Sequence, residues 1–225
     1  MNAATPFAEL LAATSYSFLR GASHPADMVA QAIALGHRGI GIADRNTVAG
    51  VVRAHVALRD ARAQAAAEGH GDLGFRLVVG ARLVFADGTP DIVAYPMTRH
   101  GWGRLTRLLT LGNRRAEKGE CLLHLADLIE HAQELLLIAV ADDEHEFLLR
   151  RLARHAPLWI AATMARRGDD RRRLARQQAL ARRTGIPLLA TCDALYATPE
   201  QRPLHDVISC IREGTTIAEA GTRLL

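Results

Sequence analysis

Aromatic residues are scarce in this chain, at 4% of 225 positions. That excludes broad stacking platforms for single-stranded nucleic acid. Cysteine is nearly absent as well. Cys121, Cys192 and Cys210 are odd in number and form no CxxC pair. There is then no disulfide framework or zinc ribbon, and the reading is a reducing, cytoplasmic compartment. No apolar run approaches ~20 residues, so no membrane span is predicted. The N-terminus lacks a basic region followed by an apolar core, and no signal peptide is expected. Lysine is reduced to Lys118 alone, so the formal charge of +4 and the pI near 9.4 rest on arginine. Such a balance tolerates a polyanionic partner without requiring one. No internal repeat and no low-complexity linker interrupts the chain.

What is present is an alternation of short apolar runs and helical periods. The run Arg38-Gly-Ile-Gly-Ile-Ala-Asp44-Arg45-Asn46 reads as a buried parallel strand. It ends on an acid and a base, at the strand end where α/β proteins place their chemistry. A first strand is predicted at Phe7–Thr14. A helix follows, capped by Ser23 with Pro25 in its first turn, carrying Met28, Val29, Ala32 and Ile33 on one face and stopping at Gly36. The next helix is expected from Thr47 to about Glu68, its apolar stripe formed by Val48, Val51, Val52, His55 and Leu58. On that stripe His55 reads as a core histidine rather than a ligand.

Further strands are expected at Phe75–Phe85 and Asp91–Met97, joined at an Asp87-Gly88 turn. Trp102, Leu105, Leu108 and Leu109 mark a helix ending near Gly112, with a basic loop after it from Asn113 to Gly119. A short helix at Leu125–His131 precedes a strand at Glu134–Ala141. Then come a helix at Glu144–His155, a strand at Pro157–Thr163 and an Arg-rich helix at Asp169–Thr184. The stripe of that helix is Leu174, Ala175, Gln178 and Ala181, and its arginines read as a solvated face. A strand at Pro187–Thr191 and a last helix at Pro199–Glu213, with Leu204, Val207, Ile208 and Ile211 in step, complete the chain. About seven strands alternating with helices point to an α/β barrel or a doubly wound sheet.

Five stretches carry a specific resemblance. They are Tyr16-Ser-Phe-Leu-Arg-Gly-Ala-Ser23, Gly41-Ile-Ala-Asp44-Arg-Asn, Val79-Gly-Ala-Arg82, Ala190-Thr-Cys-Asp193 and Asp206-Val-Ile-Ser-Cys-Ile-Arg-Glu-Gly214. Together they resemble the N-terminal PHP (polymerase and histidinol phosphatase) domain of bacterial C-family DNA polymerases, the DNA polymerase III alpha subunits. The Ser-Phe-Leu-Arg-Gly-Ala-Ser wording is similar to the error-prone, translesion, DNA-repair branch. The resemblance implies a distorted seven-stranded (β/α)7 barrel of PHP type. It implies a single PHP domain over 1–225, with the barrel at about 7–213 and the start of a connection to a polymerase body at 214–225.

Metal-binding members of this superfamily hold zinc or manganese with His, Asp, Glu or Cys at the strand tips. The ions polarise a phosphate and generate hydroxide. Carried over residue by residue, the resemblance puts Leu11 and Ala13 at the first histidine pair. Asp44 is present, but Arg45 stands where a histidine would follow it. Arg82 stands at a glutamate position, and the next histidine falls near Asp91. Asp193 is present with Leu195 at its histidine position. Asp44 and Asp193 are thus vestigial, neither metal nor cofactor nor catalytic residue is expected in this chain, and Arg82 and Arg45 are candidates for structural ion pairs with the two acids.

The expected role is structural, within an error-prone DNA polymerase whose paired catalytic aspartates lie elsewhere, so this chain alone should not polymerise DNA. Its expected partners are the polymerase body, of the same or a separate chain, and through it DNA, the sliding clamp and mutasome accessory proteins, with no membrane. Two rival readings are a free-standing metal-dependent phosphoesterase and a nucleic-acid-binding module using the arginines of the 166–183 stretch.

Overall fold

The computed structural model describes residues 6–166 and 168–224. Seven strands stand in one sheet in chain order. They are β1 (Ala8–Ala12), β2 (Gly39–Arg45), β3 (Arg76–Leu83), β4 (Ile92–Pro96), β5 (Leu135–Ala139), β6 (Leu158–Ala162) and β7 (Leu188–Ala190). Between and after them lie α1 (Pro25–Ala34), α2 (Val51–Ala67), α3 (Arg99–Arg115), α4 (Leu125–His131), α5 (Glu146–Leu152), α6 (Asp170–Thr184), α7 (Arg202–Glu213) and α8 (Ile217–Ala220). This is the α/β, seven-stranded PHP-type fold that the resemblance implies. β1 and β2 run parallel, as do β5, β6 and β7, while β4 is antiparallel to both β3 and β5. The chain divides into two compact units, the first running to Val79 and resuming at Asp193, the second spanning Gly80–Cys192.

In the first unit, Met28, Val29 and Ala32 of α1 pack with Ile40, Ile42, Ala54, Leu58 and Phe75. The α1 face is the expected one, but its cap is not. His24 precedes the helix without a capping bond. Ser23 is buried, and its hydroxyl accepts the Ala197 N–H at 2.7 Å and donates to Gln201. The tertiary contact takes the group that local rules assign to the helix end. Similarly, α2 begins at Val51 rather than Thr47. Asn46 turns the chain through a left-handed conformation (φ 50°), and the Thr47 hydroxyl is used in a local turn, accepting the Ala49 N–H. The buried residues of α2 are Ala54, Leu58 and Ala65. His55 and Val52 are exposed, which corrects the core reading of His55. The alanines, weak signals by hydrophobicity, define the packed face because small side chains let the helix lie close on α1.

In the second unit, β4 is buried along Ile92–Tyr95, and Leu105, Leu108, Leu128, Leu137, Leu149, Ile160 and Leu180 fill the interior. α3 runs through Gly112 instead of ending there. That glycine sits tight under the neighbouring loop, where an added Cβ would lie 2.5 Å from the Cys121 Sγ. The basic stretch after it is thus partly helical, and Arg115 pairs with Asp127 at 2.6 Å. The Asp87-Gly88 turn is confirmed within the longer β3–β4 connection, with Gly88 at φ 79°. Asp87 also accepts the Leu125 N–H at 2.8 Å. The α6 face is rotated from the expected stripe, since Gln177 and Leu180 are buried while Ala175 and Gln178 are exposed. Gln177 Nε2 donates to the Ala161 carbonyl at 3.1 Å, and that contact makes a polar residue suitable for the inner face.

Candidate functional site

β2 is apolar up to Ala43 and delivers Asp44 to its tip, where the carboxylate is 1% exposed. A buried carboxylate needs donors. The segment after β1 supplies them. Oδ1 accepts the Thr14 N–H at 2.7 Å and the Ser17 hydroxyl at 2.7 Å, while Oδ2 accepts the Thr14 hydroxyl at 2.9 Å. The two hydroxyls are held in turn. Thr14 Oγ accepts the Tyr16 N–H, and Ser17 Oγ accepts the Arg45 N–H at 3.0 Å. Gly50 closes the other side, where a Cβ would stand 2.7 Å from Oδ2, so only glycine leaves room for the carboxylate there. Burial pushes the Asp44 pKa up, and the bonds from Thr14 and Ser17 pull against that rise.

The amide next to this cradle reaches the segment after β7. Ala13 N–H donates to the Ala194 carbonyl at 2.9 Å, beside Asp193. Asp193 sits in a left-handed conformation (φ 52°), a geometry aspartate tolerates better than most side chains. Its carboxylate lies 3.8 Å from Arg20 Nη2 in the Ser-Phe-Leu-Arg-Gly motif. Sequence reasoning missed Arg20 as a partner. Its signal was the motif itself, in which Arg20 is the one charged residue between Ser15 and Ser23. Leu11 and Ala13, at the first histidine positions, are buried hydrocarbon at 1% and 0% exposure.

Arg45 is exposed, and its backbone N–H ties it to the cradle. Arg82 behaves differently. In the second unit its side chain is 2% exposed, and Nε stands 3.0 Å from Oδ2 of Asp91. The positions that the resemblance gives to a glutamate and a histidine thus hold an arginine and an aspartate in contact. A solvent-facing Arg82 is excluded by its burial.

Among the described residues, no three His, Cys, Asp or Glu side chains come together as a metal ion needs. The arginines of α6 are partly committed. Arg173 donates to the Thr163 carbonyl at 2.6 Å and Arg183 pairs with Glu146 at 2.9 Å, while Arg171, Arg172 and Arg182 are exposed. Arg167 lies outside the described residues. Cys121, Cys192 and Cys210 form no disulfide, and no helix among the described residues is long and apolar enough to cross a membrane.

Comparison with known proteins fits this geometry. The PHP domain family model matches residues 10–190. An error-prone DNA polymerase of Brucella abortus is 48% identical over 227 residues, covering 98% of this chain and 20% of its own length. Error-prone DNA polymerase 1 of Rhizobium meliloti is 50% identical over 229 residues, covering 98% of this chain and 19% of itself. The chain therefore spans about a fifth of the length of the curated relatives it matches. Among solved structures, an amidohydrolase from Chromobacterium violaceum matches with a TM-score of 0.54 at 14% identity, over 86% of this chain and 89% of its own. A candidate metal-dependent phosphoesterase from Bifidobacterium adolescentis matches at 0.53 and 14%, over 87% and 90%. At that identity the likeness is one of fold.

Proposed function

This chain belongs to the PHP domain family, and on that premise we propose that it is the structural PHP domain of an error-prone DNA polymerase, with a degenerate metal site. Its partner is the polymerase body, through which it reaches DNA, the sliding clamp and mutasome accessory proteins in translesion repair in the cytoplasm. It holds that body and does not itself polymerise DNA.

The observation that carries this reading is the Asp44 cradle. Both carboxylate oxygens are engaged by protein donors, from Thr14 and Ser17. A metal ligand must present a free lone pair to the ion, and three of the roughly four lone-pair sites of this carboxylate already take amide and hydroxyl hydrogens. In the first unit, the positions that the resemblance gives to imidazole donors hold hydrocarbon at Leu11, Ala13 and Leu195 and a cation at Arg45. The donor set does not suit zinc or manganese. Of Arg45 and Arg82, the latter is the structural cation, paired with Asp91, and Arg20 serves Asp193.

Elemental analysis of the purified chain, together with a phosphomonoesterase assay with and without chelator, tests this. Substoichiometric zinc, manganese and iron with no chelator-sensitive turnover is expected. About two or more ions per chain with phosphatase activity abolished by chelator would replace the structural reading by a phosphoesterase.

A further inference from the structure

α7 is built inside out. Its buried residues are His205, Ser209 and Cys210, and neither ring nitrogen of His205 finds a hydrogen-bond partner among the described residues. Its outward residues are Leu204, Val207 and Ile211, 51%, 41% and 61% exposed. Spaced three and four apart, they form one stripe along the helix. An amphipathic helix on a finished surface turns such a stripe inward. The sequence puts these residues in step with Ile208, and the structure half-buries Ile208 and turns the other three outward. At the C-terminal end of α7, Arg212 donates to the Leu19 carbonyl at 3.1 Å. A contiguous apolar patch of this kind marks a surface that another body covers.

Two spans say which body. The PHP family model stops at residue 190, before α7. The likeness to the polymerases covers 98% of the chain, leaving out too few residues to omit the twelve of α7. α7 therefore lies outside what the family model matches and inside what this chain shares with error-prone polymerases. Those relatives carry about four-fifths of their length beyond the match. We propose that the outward face of α7, formed by Leu204, Val207 and Ile211, is the seat of the polymerase body. The inference rests on the structural role proposed above and assigns it a surface.

The test uses the Brucella abortus polymerase with its matching fifth replaced by this chain. Leu204→Glu with Ile211→Glu is the variant, and Phe147→Glu, at an 83%-exposed site of the second unit, is the control. In the isolated chain the double variant is expected to keep its far-UV spectrum and unfolding midpoint, since both side chains face outward. In the chimera it is expected to lower primer extension at least about tenfold, as loss of interface anchors does, while the control stays at the parent level. Hydroxyl-radical footprinting of the unsubstituted chimera needs no variant. It should show Leu204 and Ile211 protected relative to the isolated chain. Equal extension by variant and parent, or no protection, overturns the assignment of the surface. A self-associating isolated chain that the double variant makes monomeric overturns it in favour of a second copy. A parent chimera that neither extends primers nor holds together overturns the structural role itself.

Discussion

Asp44 in the first unit and Arg82 in the second are each 1% exposed and each stand at a position the resemblance gives to metal binding. Asp44 is held by neutral donors: an amide and two hydroxyls within 2.9 Å. Arg82 is held by an opposite charge, Asp91, whose side chain is 28% exposed. The neutral cradle leaves a net negative charge in the interior, so burial still drives the Asp44 pKa upward. The ion pair leaves none. A buried charge can thus be kept either by directed dipoles or by a partner ion, and only the second makes the outcome depend on keeping both members.

The comparison is broken most severely at Arg82. Arg82→Ala removes the cation and leaves a cavity, and is expected to cost about 3 kcal/mol in urea unfolding. Arg82→Met with Asp91→Asn removes both charges at similar volume and should recover at least half of that loss. A double variant as unstable as the single would show that pairing is not what matters there.

Removing one dipole from the cradle is a smaller change. Ser17→Ala deletes a hydroxyl that donates to Asp44 and accepts from Arg45, and is expected to cost about 2 kcal/mol, as for a hydrogen bond to a charged group. It should also raise the Asp44 pKa further, visible by NMR titration of the carboxyl carbon. Gly50→Ala attacks the same carboxylate by volume. Its Cβ would stand 2.7 Å from Oδ2, and roughly 1 to 2 kcal/mol is expected. An unchanged unfolding midpoint would mean the segment after Asn46 relaxes freely.

The mildest change concerns charge alone. The raised Asp44 pKa means that the folded chain binds this proton more tightly than the unfolded chain. The group's contribution is therefore full below the ordinary carboxylate range and is lost as pH rises through the raised value. Asp44→Asn keeps the shape and abolishes the titration. Its stability is expected to gain on that of the parent as pH climbs through this window, with a difference of about 1 kcal/mol or less at neutral pH. A parent whose advantage grows with pH instead would reverse the sign and contradict the assignment.

Local signals in the sequence located the elements themselves. The apolar run to Asp44, the Met28–Val29–Ala32 face and the Asp87-Gly88 turn are each written in a few adjacent residues, and the structure keeps them. Motif wording likewise placed Asp44, Asp193 and Arg82 together with the substituted histidine positions. Which partner each charge takes was not legible. Thr14 and Ser17 reach Asp44 across 30 and 27 positions, and Arg20 meets Asp193 only because the segments after β1 and β7 are neighbours. Helix periodicity showed that α7 has two faces and α2 a stripe, but not which face turns inward. Periodicity records only the angular spacing of side chains, whereas the inward direction is set by what the rest of the chain, or another body, offers to bury. His205 and Ser209 lie inside and Leu204 outside for that reason, and the small alanines of α2 for the same one. The spacing of apolar runs and helical periods determined the alternating α/β architecture of about seven strands; tertiary packing alone decided how the charges are satisfied, because a hydrogen bond or an ion pair depends on distance in space and not along the chain.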